Sequence, residues 1–310
     1  MSEKLNAVDA ALLETIADMP GGEAKGAVNI RKDSGCASRV TTENIDIKTK
    51  EDKPGIDIII KPGTKKETCH IPVIITKSGL TETVYNDFFI GEDAEVTIIA
   101  GCGIHNCGEG ESRHDGVHTF HIGKNAKVTY VEKHYGEGDG SGAKVMNPET
   151  IAYLDEGAFL KMDTSQIKGI DSTKRKTTIV CGPGAEVVVT ERLQTHGSQI
   201  ADSNMEIVLD GDDSKGRVIS RSVAQEHSQQ IFYPKMTGNA KCFGHVQCDS
   251  IIMDDAKISS IPAIVANSTE AELIHEAAIG KIAGDQLLKL ETLGLTREEA
   301  EERILKGFLA

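Results

Sequence analysis

Apolar residues recur along this chain at two different periods, and the change of period divides it. Near the start, Leu5, Val8, Leu12 and Ile16 fall on one face of a helix. Met19-Pro20-Gly21-Gly22 ends that helix, because proline and glycine interrupt it. Residues 23–55 are polar and mixed and carry weak signals. From about 56 to 265 the apolar positions alternate in short runs separated by Gly, Asn and Asp, which reads as strands and turns.

One unit recurs within that stretch. Ile90-Gly-Glu-Asp-Ala-Glu-Val-Thr-Ile98 is followed by Ile122-Gly-Lys-Asn-Ala-Lys-Val-Thr-Tyr130. Weaker copies are Asp155-Glu-Gly-Ala-Phe-Leu160, Gly182-Pro-Gly-Ala-Glu-Val187, Gly238-Asn-Ala-Lys-Cys242 and Asp254-Asp-Ala-Lys-Ile258. Their alanines, at 94, 126, 158, 185, 240 and 256, are spaced by 32, 32, 27, 55 and 16 residues. The long gap is expected to hide a degenerate copy near Gly216-Arg217-Val218. A turn followed by an alternating strand, repeated at this spacing, predicts stacked coils rather than an ordinary β-sandwich. The fold class is therefore mainly β, a right-handed parallel β-helix with short helical segments at both ends. The spacings suggest coils of roughly 16 residues per layer, or two layers per repeat. The expected organisation is a helical and irregular segment at 1–55, a β-helix core at 56–265 and a helical end at 266–310.

In that last part, Glu270 to Lys281 lacks proline and turn signals and is expected to begin a helix. A second helix starts at Gly284-Asp285, carries Leu287, Leu288 and Leu290, and stops at Gly294. Thr296-Arg-Glu-Glu299 is a capping box for a third, with Ala300, Ile304 and Phe308 on one face and Gly307 at its end. So small a hairpin must lay its apolar stripe on the solenoid or on a partner.

Charge and composition narrow the function. The 310 residues carry a net charge of −14, which argues against nucleic acid as a partner. No apolar run approaches the roughly 18 residues of a membrane span, and the opening MSEKLNAVDA has no apolar core of a signal peptide. A cytoplasmic location and no membrane partner are expected. Seven cysteines, an odd number, argue against a disulfide framework and for buried thiols, metal or sulfur ligands, or nucleophiles. There is no phosphate-binding GK[ST] loop, no G-x-S-x-G elbow and no HExxH helix.

Three groups can carry chemistry. Cys248 and Glu276, with His275 beside it, offer a thiolate, a carboxylate and an imidazole for iron or zinc; the spacing alone favours a buried thiol and a solvated helix charge. Cys181 opens the Cys-Gly-Pro-Gly-Ala copy, where a turn thiol can accept sulfur or a metal, or where it is a strand-end hydrophobe. Cys242 occupies an inward slot and reads as structural. The third group is Cys102-Gly-Ile-His105-Asn-Cys107 with His114, His118, His121 and His134, dense enough for metal binding but without zinc-finger spacing. It supports an alternative function, a zinc-binding or other metal-binding solenoid centred on residues 102–134. A polysaccharide-cleaving β-helix enzyme is a third class.

The ordered set Gln247-Cys-Asp-Ser250, Ala271-Glu-Leu-Ile-His-Glu-Ala277, Gly280-Lys-Ile282, Asp285-Gln-Leu287, Leu293-Gly-Leu-Thr-Arg-Glu-Glu-Ala300 and Gly307-Phe308 resembles the C-terminal signature of the SufB/SufD family. Cys181-Gly-Pro-Gly-Ala-Glu-Val-Val-Val-Thr190 and Gly211-Asp-Asp-Ser214 fit as well, and the likeness spans roughly residues 90–308. The resemblance implies a right-handed parallel β-helix and a non-enzymatic scaffold for iron–sulfur cluster assembly, holding a transient 4Fe–4S or 2Fe–2S cluster. It implies pairing of subunits through the β-helix, here as a SufB-like homodimer, and docking of an ABC-type ATPase, SufC, at Leu287, Ile304 and Phe308. A sulfur donor and apo iron–sulfur proteins are further implied partners. By position, Cys248 matches the assembly cysteine, Glu276 a functional glutamate of SufB, and Cys181 the sulfur-accepting cysteine. The Cys/His-rich stretch at 102–134 has no counterpart in the resemblance.

Overall fold

A computed structural model of the chain describes residues 5–310. Its 22 strands form two sheets of 11 strands each. From the fifth strand onward all pairings are parallel, and the chain alternates between the sheets as a parallel β-solenoid of about eight turns. The ladder of the first sheet gives the coil length. Glu95 pairs with Lys127, Lys127 with Phe159, Phe159 with Glu186, and Glu186 with Lys215. One turn thus takes 27–32 residues and contributes a strand to each sheet. The 16-residue layer read from Ala240 and Ala256 is only half a turn, because these alanines feed strands of opposite sheets.

The repeated turn has a backbone cause. Asp93, Asn125, Gly157, Gly184 and Asp213 each hold a left-handed conformation, with φ between 55° and 68°. Gly, Asn and Asp tolerate that region best. The next residue, Ala94, Ala126, Ala158 or Ala185, is buried where the coils stack. Ser214 fills this place in the degenerate copy, and Cys242 rather than Ala240 fills it one coil later. Between the sheets lies an aliphatic core, with Phe88 stacked on Phe120 at 4.2 Å.

Both ends depart from the sequence reading. Residues 23–55 are not irregular. Ala27–Lys32 pairs antiparallel with Gly35–Val40, and Ile45–Thr49 antiparallel with Gly55–Ile60. Helix α1, Ala7–Ala17, opens on a capping box of Asn6 and Asp9 and buries Leu12, Leu13 and Ile16 against Val28, Ile30 and Ile74. It crosses the outside of strand Glu95–His105 at Gly101, where a Cβ would lie 2.2 Å from the Ile16 carbonyl oxygen. Gly101→Ala is therefore expected to destabilise the protein by about 1–3 kcal/mol. Chemical denaturation would read the loss, with faster amide exchange confined to α1; unchanged exchange there would rule out the contact.

At the other end, Ala271–Gly280 is a strand, not a helix, in parallel register with Cys242–Ile252. Its ladder hydrogen bonds override the helical preference of its Ala and Glu residues. It stands at the edge of its sheet, and the final coil is uncapped: Ile261, Ile264, Ile274 and Ile279 are 39–51% exposed. Helices α2, Gly284–Thr292, and α3, Arg297–Phe308, follow as expected, though α3 runs through Gly307. Leu305, Phe308 and Leu309 pack on Val223 and Ile251, and Arg221 Nη1 donates to the Phe308 and Ala310 carbonyls. Leu287 is buried and Ile304 half-buried, whereas Leu288 and Leu293 are 60% and 74% exposed. The most exposed apolar side chains of the hairpin are thus Leu288 and Leu293 rather than Leu287, Ile304 and Phe308. No helix among the described residues is long and apolar enough to cross a membrane.

Candidate functional site

Strand alternation sends every second side chain into the solenoid. In strands Glu95–His105 and Lys127–Glu137 those inward positions include Cys102, Tyr130, Glu132 and His134 rather than only aliphatic groups. Strands Thr81–Ile90 and Ser112–Ile122 of the second sheet face them with Glu82, Asn86, His114 and His118. Gly116 makes room: a Cβ there would lie 3.2 Å from the His114 ring and 3.5 Å from that of His118.

Hydrogen bonds join these groups. Arg31 Nε donates to Glu82 Oε2 at 2.9 Å, and His114 Nδ1 donates to Glu82 Oε1 at 3.1 Å. Asn86 Nδ2 donates to His118 Nε2 at 3.2 Å, His118 Nδ1 to the Tyr130 hydroxyl at 2.8 Å, and Tyr130 to Glu132 Oε1 at 3.0 Å. Arg175 binds Glu132 Oε2 at 2.5 Å and donates to His134 Nδ1 at 3.2 Å. Its Nε lies 3.7 Å from Glu191, which accepts from Ser203 at 2.9 Å and Ser220 at 3.3 Å.

This environment sorts the titratable groups. Burial pushes the Cys102 thiol up, but the charge and hydrogen bond of His114, with a hydrogen bond from His134, outweigh it and bring the thiol down to about 7. Burial would depress His114, yet the Cys102 and Glu82 charges raise it to about 10. His118, with desolvation dominant, falls to about 4 and stays neutral. Cys181 is different. It ends strand Ser172–Cys181, is wholly buried among aliphatic residues, and burial pushes its thiol up to about 12. Of the two readings of Cys181, its burial at the strand end matches the strand-end hydrophobe, because the turn begins one residue later.

The row continues to Cys248. Along the first sheet Glu132, Thr164, Glu191, Ser220 and Cys248 pair in succession through the ladder, all facing inward. A water-sized cavity of about 20 Å³ lies between Glu191, Ser203, Ser220, Cys248 and Ser260. Cys248 is 3% exposed and burial pushes its thiol up to about 12. The last coil covers it. His275 Nε2 lies 3.6 Å from Cys248 Sγ, and burial lowers the His275 pKa, which favours the neutral imidazole beside the thiol. Glu276 does not join them. It pairs with Gln247 and points to the outer face, 3.4 Å from His245 Nε2. One chain therefore brings Cys248 and His275 together and leaves Glu276 on the opposite side of its strand.

The Cys/His-rich stretch is likewise divided. His114, His118 and His134 face inward, while His121 lies outside, stacked between Phe89 and Tyr153. Among the described residues no group of three or more His, Cys, Asp or Glu is arranged to hold a metal ion. The buried carboxylate–arginine row was not anticipated from the sequence. Its signal is present, since Val128, Tyr130, Glu132 and His134 occur at every second position, mixing charge into an inward face.

Residues 75–308 match the family described as SUF system FeS cluster assembly, SufBD core domain. The chain is 30% identical over 290 residues to an iron–sulfur cluster assembly SufBD family protein of Methanocaldococcus jannaschii, covering 92% of this chain and 90% of that protein. It is 30% identical to a SufBD family protein of Methanothermobacter thermautotrophicus over 83% of this chain and 62% of the relative. A chloroplastic SufBD family protein of Arabidopsis thaliana is 27% identical over 63% of this chain and 36% of its own length.

Proposed function

Because this chain belongs to the SufBD family of iron–sulfur cluster assembly proteins, we propose that it is the scaffold on which a nascent cluster is built, with Cys248 as the thiolate that holds it. The observation that carries this reading is the half-site at the open end of the solenoid. Cys248 and His275 supply two ligands, and an iron–sulfur cluster needs about four. A second copy stacked on the uncapped coil would cover Ile264, Ile274 and Ile279, satisfy the edge of strand Ala271–Gly280 and bring a second pair. Glu276, on the outer face of that edge strand, is then placed to ligate or position cargo delivered across the interface.

A buried polar row links the Cys102 end of the solenoid to Cys248 through His134, Arg175, Glu191 and Ser220, and sulfur moving between the two thiols would pass beside these side chains. In this reading the internal sulfur acceptor is Cys102, which stands beside His114 and His134 in the polar row, in preference to Cys181, which stands among aliphatic side chains. Leu288 and Leu293 on the terminal hairpin offer an apolar surface to a SufC-type ATPase, which would supply ATP hydrolysis to a chain that has no phosphate-binding loop of its own. Seven unpaired thiols suit a reducing cytoplasm.

Anaerobic reconstitution with ferrous iron and sulfide, in the presence of the co-purified ATPase, tests this function. The expected product is a protein-bound cluster with matched iron and sulfide content, on a dimer by light scattering. Zinc in place of iron, or neither metal, would overturn the reading.

A further inference from the structure

One part of the Cys102–Cys107 motif lies outside the buried row. The Cys107 thiol is exposed, and its Sγ lies 3.0 Å from His105 Nε2. His105 Nδ1 in turn lies 3.1 Å from Glu137 Oε1, on the neighbouring coil. The carboxylate accepts from Nδ1–H and so leaves Nε2 bare toward the thiol. Nucleophile, base and orienting acid then stand in the order that activates a thiol. The Tyr135 hydroxyl donates to Glu137 Oε2 at 3.3 Å and steadies the carboxylate.

The backbone around the thiol is fixed. Asn106 is fully buried. Its Nδ2 donates to the carbonyls of Gly110 at 2.8 Å and Gly142 at 3.1 Å, and its Oδ1 accepts from the Gly108 amide at 3.0 Å. A Cβ on Gly140 would lie 2.3 Å from the Gly108 oxygen, so the loops of adjacent coils stack backbone on backbone. Cys107 is thereby presented at a set place on the surface. The other exposed cysteine, Cys36, has no imidazole: its polar neighbours are Asn29 Oδ1 and the Ser38 carbonyl, each at 3.7 Å.

We infer that Cys107, His105 and Glu137 form an activated surface thiol that takes sulfane sulfur from a persulfide donor. The identity of the donor class rests on the assembly reading above; the activation rests on the geometry. His105 Nε2 removes the Cys107 proton, and the thiolate attacks the terminal sulfur of the donor R–S–SH. The donor S–S bond breaks as the new S–S bond forms on Cys107. The donor leaves as a thiolate and takes the proton held by His105. The transferred sulfur keeps its oxidation state, so no oxidant or reductant is consumed.

The experiment exposes the full chain to cysteine persulfide under anaerobic conditions, quenches by alkylation and follows each cysteine peptide by mass. Cys107 is expected to gain one sulfur roughly tenfold or more faster than Cys36. His105→Gln should bring Cys107 down to the Cys36 rate. Glu137 is a positioning residue: Glu137→Gln keeps an acceptor for Nδ1–H and should retain most of the rate, whereas Glu137→Leu should lose it. Circular dichroism confirms that each variant is folded. Equal rates at Cys107 and Cys36 in the parent chain, or an unchanged Cys107 rate in His105→Gln, would overturn the inference. The readout is independent of cluster formation. Fast, His105-dependent uptake without any cluster supports the thiol and sinks the assembly reading, while a reconstituted cluster with slow, His105-independent uptake does the reverse.

Discussion

Cys248→Ala is expected to reduce cluster reconstitution to background while leaving the solenoid folded. In the proposed site this thiol is the sulfur ligand, and cluster iron is held by thiolate. Removing one buried sulfur beside a water-sized cavity costs about 1 kcal/mol, so the loss of iron and sulfide binding would not be a loss of fold. His275→Ala should lower the yield without abolishing it, because the thiolate remains. Glu276→Gln should have little effect on iron bound to an isolated chain and a larger one on the dimer, since its carboxylate points away from Cys248. Anaerobic iron and sulfide analysis of the three variants, beside their circular dichroism, gives the answer. Full reconstitution by Cys248→Ala would remove that residue from the site.

Arg175→Met should produce the largest loss of stability. Arg175 is 6% exposed and lies between Glu132 and Glu191, themselves 2% and 5% exposed. The guanidinium is the counter-charge that holds Glu132 well below the usual carboxylate range despite burial, with His134 assisting. Taking it away strands two carboxylates in the core. The expected cost is about 3–5 kcal/mol, read as a fall in the urea midpoint. Adding Glu132→Gln and Glu191→Gln should recover a large part, because the penalty belongs to the uncompensated charge. Coils contact only their neighbours, so amide exchange should rise first in strands Lys127–Glu137, Ser172–Cys181 and Glu186–Thr195. A variant as stable as the parent would mean that these carboxylates are not charged in the folded protein.

The solenoid was legible because its signal is local. A left-handed turn residue, a small residue and an alternating strand occur within one short window and then recur. The strand Ala271–Gly280 was not, because its Ala and Glu residues favour a helix and only the Cys242–Ile252 ladder makes it a strand. That single error also misplaced Glu276. On a helix His275 and Glu276 point in broadly similar directions, whereas on a strand they face opposite ways. The polar row was hidden for another reason: Arg175 lies 43 residues from Glu132 and 41 from His134, and only the stacking of coils brings them together. In the terminal hairpin the apolar stripe was visible, but which leucines the solenoid would claim depends on the crossing of α3 over Val223 and Ile251.

The uncapped coil has a kinetic side. In a stack stabilised by neighbours, the terminal layer has one neighbour instead of two and frays with the lowest opening free energy. Here that layer is the lid over a thiol only 3% exposed. Each fraying event of Ala271–Gly280 unroofs Cys248 for a moment, and each reclosure shuts it away from solvent. Access to Cys248 is then governed by the breathing rate of ten residues of backbone rather than by a permanent channel. Whatever seats itself on the free edge slows that breathing and sets how long the sulfur stays hidden from both iron and oxygen.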